Sequence, residues 1–154
     1  MADTKSDTLA TLIVDDEPLA IDRMQLICEQ IPMVRVAGTA SDGAQALNRI
    51  AELSPELVLL DLTMPELDGL EVARRLSEQD NPPAIIFVTA HDNHAVEAFD
   101  LDAVDYVLKP VEKDRLERAI ARAVARRGGE STAARAGQGS PWLEELWVPH
   151  RSEL

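Results

Sequence analysis

The chain has 154 residues, 45% of them hydrophobic and 28% charged, and carries a formal net charge of −13. Its length fits one domain of about 100 to 150 residues plus a remainder, and its composition is that of a folded chain and not a disordered one. The negative balance argues against this chain itself gripping nucleic acid, because neutralising phosphates takes clustered Lys and Arg, and makes a divalent cation the better partner. Cys28 is the only cysteine, so an internal disulfide and a multi-cysteine metal site are both excluded. Aromatic residues are 3% of the chain, so the core must be aliphatic. No apolar run approaches the roughly 20 residues of a membrane span, and MADTKSDT at the start lacks the charged-then-apolar pattern of a signal peptide. The expectation is a cytoplasmic protein with no membrane partner.

Short apolar runs alternate with segments of helical period, which predicts a β-α-β-α series around a parallel sheet. Leu12-Ile13-Val14 is the first strand. Ala20, Met24, Ile27 and Ile31 then mark a helix that Pro32 stops, with Cys28 buried on it. Val34 to Ala37 gives the second strand, and Leu47, Ile50 and Ala51 the apolar face of the second helix. Leu57 to Leu60 is the third strand, followed by a helix facing inward through Val72, Ala73 and Leu76, with Gly69 read as a permissive turn before it. Pro82-Pro83 breaks the chain before a fourth strand at Ile85 to Val88. A short fourth helix is read at Asn93 to Phe99, a fifth strand at Tyr106 to Leu108, and a long fifth helix on Leu116, Ile120 and Val124. The organisation expected is a folded domain over residues 9–126, a Gly-, Ser- and Ala-rich linker over 127–141, and a segment over 142–154. That last segment, WLEELWVPHRSEL, is too short for a core of its own and either docks or begins a further domain.

Polar residues stand just past the ends of these apolar runs: Asp15 and Asp16, Asp61, Thr89 and Lys109. If the runs are neighbouring parallel strands, all five side chains gather at the carboxyl edge of one sheet, where open α/β folds place their ligands. Crowded carboxylates raise the pKa of at least one of them unless a cation sits between. Mg²⁺ suits such a site, since it takes hard oxygen ligands from one or two carboxylates and then meets a phosphate. Asp15, Asp16 and Asp61 are therefore read as a Mg²⁺ cradle. Asp61 is also a potential nucleophile towards a phosphoryl group, with Lys109 and the Thr89 hydroxyl as donors to its oxygens. The bland alternative is that these are strand-end residues capping the next helix or turn.

IVDDEP, LLDLTMPELDG, FVTA and YVLKP, in this order and spacing, resemble the receiver domain of bacterial two-component response regulators over about Leu9 to Arg126. The resemblance implies a flavodoxin-like α/β fold, a doubly wound five-stranded parallel sheet of order 2-1-3-4-5 with helices on both faces. It implies phosphorylation of Asp61 by a histidine kinase or phosphotransfer protein. Mg²⁺ would be held by Asp16, Asp61 and the backbone carbonyl of Thr63, with Asp15 acting through a metal-bound water. Thr89 and Lys109 would bind the phosphoryl group, Tyr106 would be the switch aromatic, and the Lys109-Pro110 bond would be cis. VDDEPLA and VTAHDNHAVEAFDLDAVDYVLKPVEKDRLERAI further resemble regulators ending in a LytTR-type DNA-binding domain, and LWVPHRSEL its first strand. DNA would then be met only through an output domain absent from this chain; the alternative is a stand-alone receiver without a DNA-binding output. A phosphatase of the haloacid-dehalogenase type is the rival, but it needs a second Asp two residues after the nucleophile, where this chain has Thr63.

His91, His94 and His150 lack the third clustered ligand of a zinc site. Five acids lie between His91 and Asp105 without a Lys or Arg, and six bases between Lys113 and Arg127. They are either two solvated faces or the two halves of a two-fold interface promoted by phosphorylation.

Overall fold

The computed structural model describes residues 8–90 and 101–128. Strand β1, Leu9–Val14, is followed by α1, Pro18–Glu29; β2, Val34–Ala40; α2, Gly43–Leu53; β3, Leu57–Leu60; and α3, Gly69–Ser77. Then come β4, Ala84–Thr89; β5, Asp105–Leu108; and α4, Lys113–Gly128. The five strands pair in parallel in the order β2-β1-β3-β4-β5. The alternation of apolar runs and helical segments predicts the parallel sheet, and its doubly wound, flavodoxin-like order is the one that the resemblance implies. The short fourth helix read at Asn93 to Phe99 and the linker and tail beyond Gly128 lie outside the described residues.

A parallel sheet is covered on both faces, so its central strands read as unbroken apolar runs. β1 and β3 are buried at every position. Successive side chains point to opposite faces. Ile13, Leu57, Leu59 and Ile86 meet α1 and α4 through Met24, Cys28, Leu116, Ala119 and Ile120. Leu12, Val14, Val58, Leu60 and Phe87 meet α2 and α3 through Ala46, Ile50, Val72, Ala73 and Leu76. Burial of the Cys28 thiol pushes its pKa up to about 11, which makes it a packing residue.

Helix starts follow local chemistry. Pro18 occupies the first turn of α1, where a missing N–H costs nothing. Asp42 and Asp68 cap α2 and α3 by accepting from the N–H groups of Gln45 and Glu71. Two expectations are corrected. Ala51 is exposed, because α2 turns Ala46 and Ile50 inward and Leu47 only halfway. Ile31 is buried but lies beyond the end of α1 at Glu29.

Candidate functional site

The order of the sheet reverses beside β1, with β2 on one side and β3 on the other, and a crevice opens at such a switch point outside the carboxyl ends of the strands. Val14 pairs with Leu60, so Asp15 and Asp61 come level at the ends of adjacent strands. Thr89 ends β4 beside Leu108, the last residue of β5, and Lys109 follows it.

Carboxylate oxygens of Asp15, Asp16 and Asp61 lie within 4.8 Å of one another. Asp15 and Asp61 are buried and Asp16 is exposed. Lys109 reaches across, its Nζ 2.7 Å from Asp15 Oδ2 and 3.7 Å from Asp61 Oδ2. Asp15 also accepts from the Glu17 N–H at 2.9 Å, and Asp61 from the Thr63 N–H at 3.3 Å. Thr63 is exposed, whereas the Thr89 side chain is fully buried. The structure thus brings Asp15, Asp16, Asp61, Thr63 and Lys109 into one cluster. Thr89 stands at the neighbouring strand end, and Tyr106 pairs with Phe87 two residues back from it, their ring centroids 6.3 Å apart. The Lys109-Pro110 peptide is cis.

The Asp61 pKa is raised, and burial is the largest cause; the Lys109 charge opposes it, while Asp15 and Asp16 add to it. Crowding alone is therefore a smaller effect than the sequence suggested. Burial would lower the Lys109 pKa, yet it is raised, because the hydrogen bond to Asp15 and the charges of Asp61, Asp15 and Glu17 outweigh desolvation. Two hard carboxylates in a buried cleft and a third at its mouth suit a small divalent cation that keeps part of its water.

Gly69, read in the sequence as a turn remote from chemistry, packs on the site. A Cβ there would stand 2.2 Å from the carbonyl oxygen of Asp61. Its N–H donates to Leu62 at 2.9 Å, so the start of α3 rests on the strand that carries Asp61. Sequence reading also missed the role of Glu17, whose N–H orients Asp15; the only signal was its place in Asp-Asp-Glu-Pro.

Comparison with known proteins agrees with this fold. Residues 11–121 match the response regulator receiver domain family, and the chain belongs to it. It is 51% identical over 113 residues to the positive alginate biosynthesis regulatory protein of Pseudomonas aeruginosa, covering 73% of this chain and 46% of that protein. It is 40% identical over 112 residues to the sensory transduction protein LytR of Staphylococcus haemolyticus, covering 73% and 44%. The chain therefore spans less than half the length of these relatives. Among solved structures, the response regulatory domain of mrkE from Klebsiella pneumoniae superposes with a TM-score of 0.70 at 32% identity, over 75% of this chain and 95% of that one. The resemblance to LytTR-type regulators and to a two-component receiver thus holds for the receiver part. Among the described residues no helix is long and apolar enough to cross a membrane.

Proposed function

We propose that this receiver domain accepts a phosphoryl group on Asp61 from a histidine kinase or phosphotransfer protein in a Mg²⁺-dependent reaction. The observation that carries the reading is the convergence of three carboxylates within 4.8 Å, with Lys109 bonded among them at the switch point of the sheet. An Asp61 carboxylate oxygen bonds to phosphorus as the bond to the donor's imidazole nitrogen breaks, and the leaving imidazole takes its proton from solvent. Asp15, Asp16, Asp61 and the Thr63 carbonyl would hold Mg²⁺, which supplies charge compensation on the phosphoryl oxygens. Lys109 exchanges its contact with Asp15 for a phosphoryl oxygen, and the Thr89 hydroxyl takes another. Tyr106, on the strand that pairs with the one ending in Thr89, is the aromatic that responds. The domain so defined, in the cytoplasm, runs from residue 9 past the expected end at 126, because α4 continues to Gly128 and Arg127 donates to the Glu56 carbonyl at 3.2 Å, and the linker is what remains up to residue 141. Residues 142–154 then begin a LytTR-type output domain, and phosphorylation promotes a homodimer that sets two such domains on DNA.

The test is incubation with a small-molecule phosphodonor and Mg²⁺. The chain is expected to retain one labelled phosphoryl group, lost in Asp61→Asn and on chelation. Labelling of Asp61→Asn at the wild-type level would place the acceptor elsewhere, and multiple turnover would make the chain a phosphatase.

A further inference from the structure

Asp105 is the third buried carboxylate among the described residues, and the phosphoryl chemistry proposed above makes no use of it. Its oxygens accept from Arg115 Nη1 and Nη2 at 2.9 Å each, from Arg122 Nη1 at 3.3 Å and from the main-chain N–H of Tyr106 at 2.8 Å. Arg115 Nη2 also donates to the main-chain carbonyl of Tyr106 at 3.1 Å. One simple ion pair would be enough to fasten α4 to β5. This arrangement adds a grip on both main-chain polar groups of Tyr106, whose ring packs near Phe87 with the centroids 6.3 Å apart.

We propose that Asp105 and Arg115 are positioning residues for Tyr106. They bind its main chain to α4, so that activation turns the ring without moving the strand. The proposal rests on the reading of Tyr106 as the responding aromatic. A guanidinium is needed because its planar fork serves the carboxylate through two nitrogens and still reaches the carbonyl, which a point-like ammonium does not. Arg122 supports the same carboxylate through a longer bond of 3.3 Å.

Tyr106 is the only tyrosine in the chain, so fluorotyrosine labelling gives one fluorine resonance that reports on this ring. The experiment compares the full chain with Mg²⁺ before and after beryllofluoride. The wild-type resonance is expected to move. In Arg115→Lys and Asp105→Asn the movement should fall at least about twofold, while the rate of Asp61 labelling by a phosphodonor stays within about twofold of wild type, since neither residue touches the site. A full-sized movement in both variants would reduce the pair to ordinary fastening and overturn the proposal. A wild-type resonance that stays in place would overturn the responding-ring reading and the proposal with it, and is seen before any variant is made. Amide exchange at the Tyr106 N–H of the wild type is a second measurement that needs no variant to fold. It should be equally slow in both states, and a change of about tenfold on activation would mean that the main chain moves, which also overturns the proposal.

Discussion

Asp61 is held in a place that disfavours its charged form. Burial raises its pKa, and only Lys109 and the Thr63 N–H pull the other way. An acid whose folded pKa is raised binds its proton more tightly folded than unfolded, so stability falls as pH rises from the unfolded value through the folded one. In chelator at neutral pH, Asp61→Asn is therefore expected to stabilise the chain by on the order of 1 kcal/mol, a few degrees in Tm, although it abolishes labelling. That gain should shrink as pH drops below the ordinary carboxylate range, and calorimetry across acid pH checks it; a variant less stable than wild type at pH 7 would contradict this account. Lys109 works in the opposite sense. Its raised pKa gives a contribution that is complete below the ordinary lysine pKa and is lost as pH climbs past the raised value. Lys109→Ala removes the one cation, among the described residues, paired with both Asp15 and Asp61, so without metal it should cost about 1 to 3 kcal/mol, less than a fully buried pair because the lysine is partly exposed. Saturating Mg²⁺ should return much of that loss, about 2.7 kcal/mol at a hundred times Kd. A melting temperature of this variant insensitive to Mg²⁺ would argue against a cation in the cleft.

The elements carry these side chains to one place because each strand ends where apolar residues give way to polar ones, and that boundary was readable in the chain. Leu57 to Leu60 is bounded as its apolar run is, and the inner face of α3 is the predicted Val72, Ala73 and Leu76. Helix ends and rims were less legible. Ala51 fits an apolar period by residue type, yet small residues tolerate exposure, and the packing of α2 turns it outward. Gly69 was misjudged for a related reason: a glycine in sequence signals conformational freedom, and only the fold reveals that the missing Cβ matters for close approach. Gly69→Ala sets two effects against each other. Alanine gains up to about 1 kcal/mol of helix propensity in a helix interior. The added Cβ would lie 2.2 Å from Asp61 O and 2.9 Å from Leu62 Cα, both main-chain atoms that cannot swing aside. Overpacking of this kind costs about 1 to 3 kcal/mol, so the clash wins. The variant should melt lower and also label more slowly, because the displaced main chain is that of Asp61 itself. Unchanged labelling with an unchanged Tm would show that the strand yields more easily than its burial suggests.

At the scale of the whole molecule, the charge asymmetry read from the sequence takes a different meaning. The acids leading into β5 and the bases on α4 read either as two solvated faces or as two halves of an interface between protomers, yet Asp102 and Asp105 meet α4 within one chain. Asp105 pairs with Arg115 and Arg122, and Asp102 with Arg126 at 2.5 Å, while Lys113 pairs with Glu117 of its own helix at 3.2 Å. Sequence shows the signs of these charges and not their spatial partners, so the internal pairing was not legible. It changes how a phosphorylation-promoted dimer must be tested. Reversing Arg115 or Arg122 would leave Asp105 buried beside a like charge, and removing one partner of a buried pair costs about 3 to 5 kcal/mol, so such a variant would report on folding. Arg118 is exposed on α4, and its reversal leaves that network in place. An exposed pair contributes about 0 to 1 kcal/mol, and two-fold symmetry counts it twice, so Arg118→Glu should weaken a dimer through this face by up to about thirtyfold in Kd. The contacts are at the rim, so raising ionic strength should weaken the wild-type dimer in the same direction. Sedimentation of the beryllofluoride-treated chain, with and without the substitution and across salt, measures both. A dimer indifferent to Arg118 and to salt would put the contact on another face, and truncation before Trp142 would then be the next variant to sediment.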